Sequence, residues 1–233
     1  MQIVTIPCDR RNYGGLRAGP VEYVVIHYTA GNGDSAEANG RYFSRNDTGK
    51  TSAHYFVDER QIVASVPEEA VAWHCGGAVY RHPNCRNSNA IGVELCSIKE
   101  DGVYRFRPET VENAARLAAM LMEKYDLPPE RLLRHFDVTG KNCPAPMVGQ
   151  NASQWEEFRK KEAEMEQKLF NRRMEAYLQT QAEKAPSTWS AEARRWAEAA
   201  GLILGDGQAM RYKSPVTREE LMEILYRYNN KEE

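Results

Sequence analysis

His27, His135 and Cys143 bring two imidazoles and a thiol to a chain of ordinary composition. Together they could hold one Zn²⁺, an ion that favours nitrogen and sulfur donors. His135 and Cys143 stand eight positions apart in RHFDVTGKNCP, one polar loop containing a glycine, and His27 closes the run VEYVVIH. Three protein ligands leave the fourth tetrahedral position to water, an opening that a catalytic zinc needs and a structural zinc lacks. Lys141 precedes Cys143 by two residues, and Glu94 lies in a separate apolar run, NAIGVELC. A Lewis acid, a carboxylate and a lysine suffice to hydrolyse an amide. Each residue also has an ordinary structural reading. His27 could simply end a strand, Cys143 could be a small buried side chain before proline, Glu94 could pair with an arginine, and Lys141 could be a solvated loop lysine. A zinc closed by a fourth ligand, His54 or His74, is a further arrangement open to these residues.

The elements that must position these side chains follow from patterning. VEYVVIHYT is almost continuously apolar and β-branched, the mark of a strand buried on both faces, with His27 near its C-terminal end. AHYFVDERQIVASV predicts a hairpin joined near Glu59 and Arg60, and NAIGVELCSI predicts a second buried strand carrying Glu94. PETVENAARLAAMLMEKYDLP predicts an amphipathic helix, opened by Pro108, stopped by Pro128 and Pro129, and striped with Leu117, Leu121 and Met122. SAEANGRYFSR predicts a shorter helix that Gly40 weakens. Residues 1–150 thus carry the patterning of an α/β domain.

Beyond them the composition shifts. From Trp155 to Ala185 there is no glycine or proline, and Glu156–Lys160, Glu157–Lys161 and Glu164–Lys168 are acid-to-base pairs at helical spacing. A long helix is expected there, either a spacer that pairs with its twin in a homodimer or a helix packed on the preceding domain. After Pro186, Ser190 is placed to cap a helix carrying Trp189 and Trp196 and ending at Gly201. Thr217 and Glu220 form a capping box for another, with Leu221, Ile224, Leu225 and Tyr228 on one face. Two such helices make a small all-α module that buries little by itself. Asp206, between them, offers too few carboxylates for Ca²⁺ and reads as turn chemistry.

Bulk properties exclude several function classes. The 31 basic and 33 acidic residues nearly balance at a formal charge of −2, with no polybasic block, so nucleic acid and anionic membrane are not expected partners. No apolar stretch approaches the ~20 residues of a membrane span, so membrane insertion is not expected. The opening MQIVTIPCDRRNYGG lacks the basic and apolar regions of a secretion signal, which predicts a soluble protein that starts in the cytoplasm. Five cysteines are an odd number, favouring free thiols or metal ligands over a disulfide framework. In WHCGGAVYRHPNC, Cys75 and Cys85 could pair or join His74 and His82 in a second metal site; a loop of free thiols and solvent-facing histidines is the simpler expectation.

VVIHYTAG, SAHYFVD, WHCGG, NAIGVELC and HFDVTGKNCPAP, in this order, resemble the zinc-dependent N-acetylmuramoyl-L-alanine amidases of the phage-lysin and peptidoglycan-recognition-protein type. The resemblance spans roughly residues 1–150. It implies a mixed β-sheet flanked by helices, with a zinc at the floor of a groove that accepts bacterial peptidoglycan. It places the zinc ligands on His27, His135 and Cys143, the catalytic carboxylate on Glu94 and the oxyanion-stabilising lysine on Lys141. Some branches carry a catalytic tyrosine directly before the histidine of SAHYF; here that position is Ala53, which shifts the proton work to Glu94. Tyr55, by strand alternation, is expected on the face of Ala53.

IPCDRRNYGG also resembles the start of lysins from phages of Gram-positive bacteria, implying an endolysin held in the host cytoplasm until release to the cell wall. WAEAAGLILGDG with PVTREELMEILYRY is similar to part of an S-layer-homology motif, which implies attachment to a secondary wall polymer or self-association. The resulting expectation is a catalytic domain over 1–154, a helical linker over 155–185 and a wall-binding or dimerisation module over 186–233. The alternative is a non-catalytic peptidoglycan-binding protein of the same fold, to which Cys143, Lys141 and Glu94 would be of no use.

Overall fold

The computed structural model describes residues 2–205, 207 and 209–230. Asp206, read above as turn chemistry, lies outside the described residues. The chain divides into two compact units, Met1–Gln167 and Lys168–Glu233.

In the first unit the strands are β1 (Gln2–Thr5), β2 (Tyr13–Leu16), β3 (Tyr23–Tyr28), β4 (Tyr55–Val57), β5 (Gln61–Ala64), β6 (Ala70–Ala72), β7 (Ala90–Leu95), β8 (Ile98–Glu100), β9 (Val103–Arg105) and β10 (Leu132–Arg134). Its helices are α1 (Ala36–Arg45), α2 (Pro108–Lys124) and the short α3 (His135–Thr139), and it holds the first turns of α4 (Ala152–Ala182). Six strands form one mixed sheet in the order β1-β5-β4-β7-β3-β10, in which only the β4–β5 pair is antiparallel. That pair is the hairpin expected from sequence. Its turn is built on Asp58, whose Oδ1 accepts the N–H groups of Arg60 and Gln61 at 2.8 Å each, while Oδ2 accepts from Ala36 at the start of α1.

Alternation along the central strands sorts their side chains between two cores. Val24, Ile26, Ile91, Val93 and Leu95 pack against Leu117, Leu121 and Met122 of α2. Trp155 and Phe158, from the first turns of α4, complete the same core. Tyr23 and Val25 point the other way, into a cluster with Cys75, Cys85 and Val138. Gly40 is explained by proximity rather than by helix propensity: α1 lies so close to β5 that a Cβ at this position would meet Val63 Cγ1 at 2.7 Å.

Glu162, one turn after Phe158, is buried, and its pKa is pushed up to about 7 by burial and then by Glu166, with Arg159 opposing. The folded-state value lies above the ordinary 4.5. The folded protein therefore keeps a proton that the unfolded chain has lost, and stability falls as pH rises through that window. Glu162→Gln is expected to stabilise the protein at pH 8 by roughly 1–3 kcal/mol and to change little at pH 4. Thermal unfolding at the two pH values checks this; equal shifts at both would point to packing instead of ionisation.

The second unit holds the rest of α4, then α5 (Ala191–Ala199) and α6 (Arg218–Asn229). Thr217 and Glu220 form the expected capping box. Ser190 occupies the N-cap position of α5, but its hydroxyl bonds to the Ser187 carbonyl instead of capping the helix. Ala197 and Leu202 are buried, whereas Trp189, Trp196, Leu221, Leu225 and Tyr228 stay exposed. Among the described residues no helix is long and apolar enough to cross a membrane.

Candidate metal centre

Three neighbouring parallel strands, β7, β3 and β10, deliver the site at their C-terminal ends, where open α/β sheets leave a crevice. His27 and Glu94 are each the penultimate residue of a strand and are register partners across β3 and β7, so both side chains leave the sheet on one face. His135 follows β10 directly, as the first residue of α3.

The loop after β10 is tied at both ends. Asp137 accepts the Arg134 backbone N–H and grips its guanidinium, with bonds of 2.8, 2.8 and 3.0 Å, and Arg134 reaches on to the Met147 carbonyl at 2.7 Å. The Phe136 N–H donates to the Cys143 carbonyl at 2.8 Å, which returns Cys143 to the start of α3. Nδ1 of His27 consequently lies 3.7 Å from Sγ of Cys143. One donor atom from each of His27, His135 and Cys143 falls within 4.8 Å of the others, and all three residues are buried. Around a tetrahedral zinc with Zn–N of ~2.0–2.1 Å and Zn–S of ~2.3 Å, nitrogen and sulfur stand roughly 3.6 Å apart. The donor spacing fits one ion. Among the described residues this is the one such group.

The protonation pattern suits the same purpose. Burial, then the neighbouring His74, His135 and Lys141, holds His27 well below the usual imidazole range. Burial and Lys141 bring His135 down to about 4. Both imidazoles are therefore neutral. Nε2 of His135 lies 3.3 Å from the Gly76 carbonyl, which only accepts, so Nδ1 keeps its lone pair. Without an ion, burial and then the Glu94 charge push the Cys143 thiol up to about 12. A cation reverses that preference and binds the thiolate.

Glu94 approaches to 4.0 Å from Nδ1 of His27 through Oε1, while its Oε2 is buried with no hydrogen-bond partner. Burial raises its pKa to about 8, Lys141 opposing and Asp34 adding to the rise. An orphaned carboxylate oxygen beside three convergent donors is what a metal and its water would satisfy. Lys141 is exposed on the loop before Cys143, and its charge acts on Glu94, His27, His135 and Cys143. Four of the five residues picked out from sequence therefore meet in one place, and the fifth, Lys141, lies on the loop that carries Cys143.

Other residues fall differently. Tyr55 does not share the face of Ala53. Regular β4 begins only at Tyr55, whose ring joins the α2-side core and whose hydroxyl donates to Glu68 at 2.6 Å. Ala53 lines a cavity of about 150 Å³ beside Glu94, together with Tyr28, Thr29 and Phe56. His74 is buried, not facing solvent, because its loop folds inward onto β3 and β7, and Cys75 and Cys85 are the free thiols expected, buried in the same fold of the chain. His54 is also structural: its Nδ1 accepts the Gly92 N–H at 2.9 Å. His74 reaches the site, bonding to His27, a role that its place in the loop did not reveal.

The chain is similar to known proteins over the same region. CwlL, an N-acetylmuramoyl-L-alanine amidase from Bacillus licheniformis, is 40% identical over 156 residues, 63% of this chain. The chain spans only 42% of the length of that relative. CwlA, an N-acetylmuramoyl-L-alanine amidase from Bacillus subtilis (strain 168), is 27% identical over 233 residues, covering 99% of this chain and 82% of its own. The solution structure of the PlyG catalytic domain superposes with a TM-score of 0.58 at 27% identity, over 71% of this chain and 96% of that one. The family model for N-acetylmuramoyl-L-alanine amidase matches residues 17–146, from before β3 to just past Cys143. The chain is therefore a member of the N-acetylmuramoyl-L-alanine amidase family.

Proposed function

We propose that this protein is a zinc-dependent peptidoglycan hydrolase of the endolysin type, cleaving the amide between N-acetylmuramic acid and L-alanine. The observation that carries the reading is the convergence of three buried donors beside an unpartnered carboxylate oxygen. His27, His135 and Cys143 would hold the ion. The chemistry supplied by a zinc bound there is Lewis acidity, under which water ionises near ~pH 7 and an amide carbonyl is polarised.

The remaining work belongs to side chains of this chain. Oε2 of Glu94 takes the proton of the attacking water, a task suited to a carboxylate raised towards neutrality. It returns that proton to the alanine nitrogen as the carbon–nitrogen bond breaks. The ammonium of Lys141 donates to the oxygen that gains negative charge as the carbonyl is attacked; such a donor is typically worth ~10²–10³ in rate. Burial of His27, His135 and Cys143 keeps bulk water from competing for the donors. A protein that only binds peptidoglycan has no use for a buried carboxylate oxygen left without a partner.

We assign catalysis to residues 1–154, a linker to 155–185 and attachment to 186–233. The exposed apolar side chains of α5 and α6 would serve attachment, to a secondary wall polymer or to a second copy of the chain. The site of action would be the cell wall, reached from the host cytoplasm. Purified protein is expected to clear a suspension of Gram-positive cell walls and to stop when a chelator is added. New alanine amino termini should appear without new reducing sugar ends. Sugar ends without amino termini would make it a glycosidase, and binding without clearing would make it a recognition protein.

A further inference from the structure

The hydrolysis outlined above leaves one side chain at the site without a role. His74 is buried, and its Nδ1 lies 3.0 Å from Nε2 of His27, the two rings meeting edge-on at 89°. Its position is fixed from two sides. The backbone N–H groups of His74 and Cys75 both donate to Asn87 Oδ1, at 3.0 and 2.9 Å. The ring lies against Gly92, two residues before Glu94 on β7, where a Cβ would come within 2.5 Å of His74 Cγ. Any larger residue at 92 would displace the ring.

At 3.0 Å the two ring nitrogens form one hydrogen bond, which needs one donor and one acceptor. The surroundings of His27 choose the direction. Nδ1 of His27 is the nitrogen turned towards Cys143 and Glu94, at 3.7 and 4.0 Å, and must keep a lone pair to bind an ion. With Nδ1 kept for the ion, the proton of a neutral His27 ring sits on Nε2, the nitrogen that meets His74. Nδ1 of His74 is then the acceptor, and its own proton belongs on the buried Nε2.

We propose that His74 is a positioning residue for the metal centre: it accepts the Nε2–H of His27 and fixes the tautomer whose Nδ1 lone pair points at the ion. Ligating histidines characteristically donate their second nitrogen to a fixed acceptor, and here that acceptor is another imidazole. The inference rests on the reading of His27 as a zinc ligand.

The test is zinc affinity of the full chain, by competition with a chromophoric chelator, against two variants. His74→Phe keeps a ring and removes the acceptor, whereas His74→Asn places an amide oxygen near the former Nδ1. His74→Phe is expected to bind zinc roughly 10–100-fold more weakly, and His74→Asn to recover most of the loss. Thermal unfolding of the metal-free proteins separates this from damage to the fold. Unchanged affinity in His74→Phe, or equal loss in both variants, overturns the proposal. Should His74→Phe fail to fold, imidazole ¹⁵N spectra of the metal-free parent decide by themselves. A proton on Nε2 of His27 supports the proposal, and one on Nδ1 overturns it. A parent chain that binds no zinc overturns the metal reading and this proposal with it, a result distinct from unchanged affinity in the variant.

Discussion

Glu94→Gln is expected to slow amide cleavage by about 10³-fold while leaving zinc bound, the middle of the range for loss of a general acid–base group. The glutamine keeps the size of the side chain and one acceptor oxygen, but it cannot take a proton from water or carry one to the leaving nitrogen. The position makes the substitution informative. Glu94 is held by β7 as the register partner of His27, so its backbone cannot shift without the sheet, and Oε2 has no bond to lose. Rates on purified wall, paired with zinc content by elemental analysis, check the expectation. Near-parental rates would remove Glu94 from the mechanism, and loss of zinc would recast it as part of the metal's surroundings.

Much of this arrangement was legible because local pattern and local chemistry coincide. The β-branched run ending in His27 behaves as a strand buried on both faces, since helices and loops cover both sides of β3. His135 and Cys143 meet because one short loop holds both, and Asp137 and Arg134 within it supply the bonds that fold it. What patterning could not show is pairing between distant strands. The register that sets Glu94 beside His27 depends on which residues of β3 and β7 face each other, and no local signal encodes that. The contact of His74 with His27 escaped for a related reason, although the sequence admits His74 as a fourth zinc ligand. Its loop carries turn residues and reads as solvent-facing, yet Asn87 and the absence of a side chain at Gly92 draw it inside. Tyr55 failed through alternation applied beyond its range, because the chain before it is not yet a strand.

Cys143→Ser carries the second large effect, on the ion itself. The thiolate is the one anionic donor among the three, and a serine hydroxyl does not ionise in its place, leaving two neutral imidazoles. Zinc prefers N/S donors and holds a complete set tightly, so the affinity should collapse. Thermal unfolding reads this without any substrate. A ligand at ~100 times its dissociation constant stabilises the folded state by ~2.7 kcal/mol, and at ~1,000 times by ~4.1 kcal/mol. The parent protein should therefore unfold at a clearly higher temperature when zinc is added, and Cys143→Ser should not. The metal-free stabilities of the two should be close, because serine nearly matches the volume of the buried cysteine. Cys143→Asp sharpens the test, since a carboxylate is also a zinc ligand and restores the negative charge. It should recover part of the zinc-induced shift. Were Cys143→Ser to gain as much stability from zinc as the parent, the ion would be held elsewhere, and the three donors at the ends of β3 and β10 would be only a well-packed corner of the core.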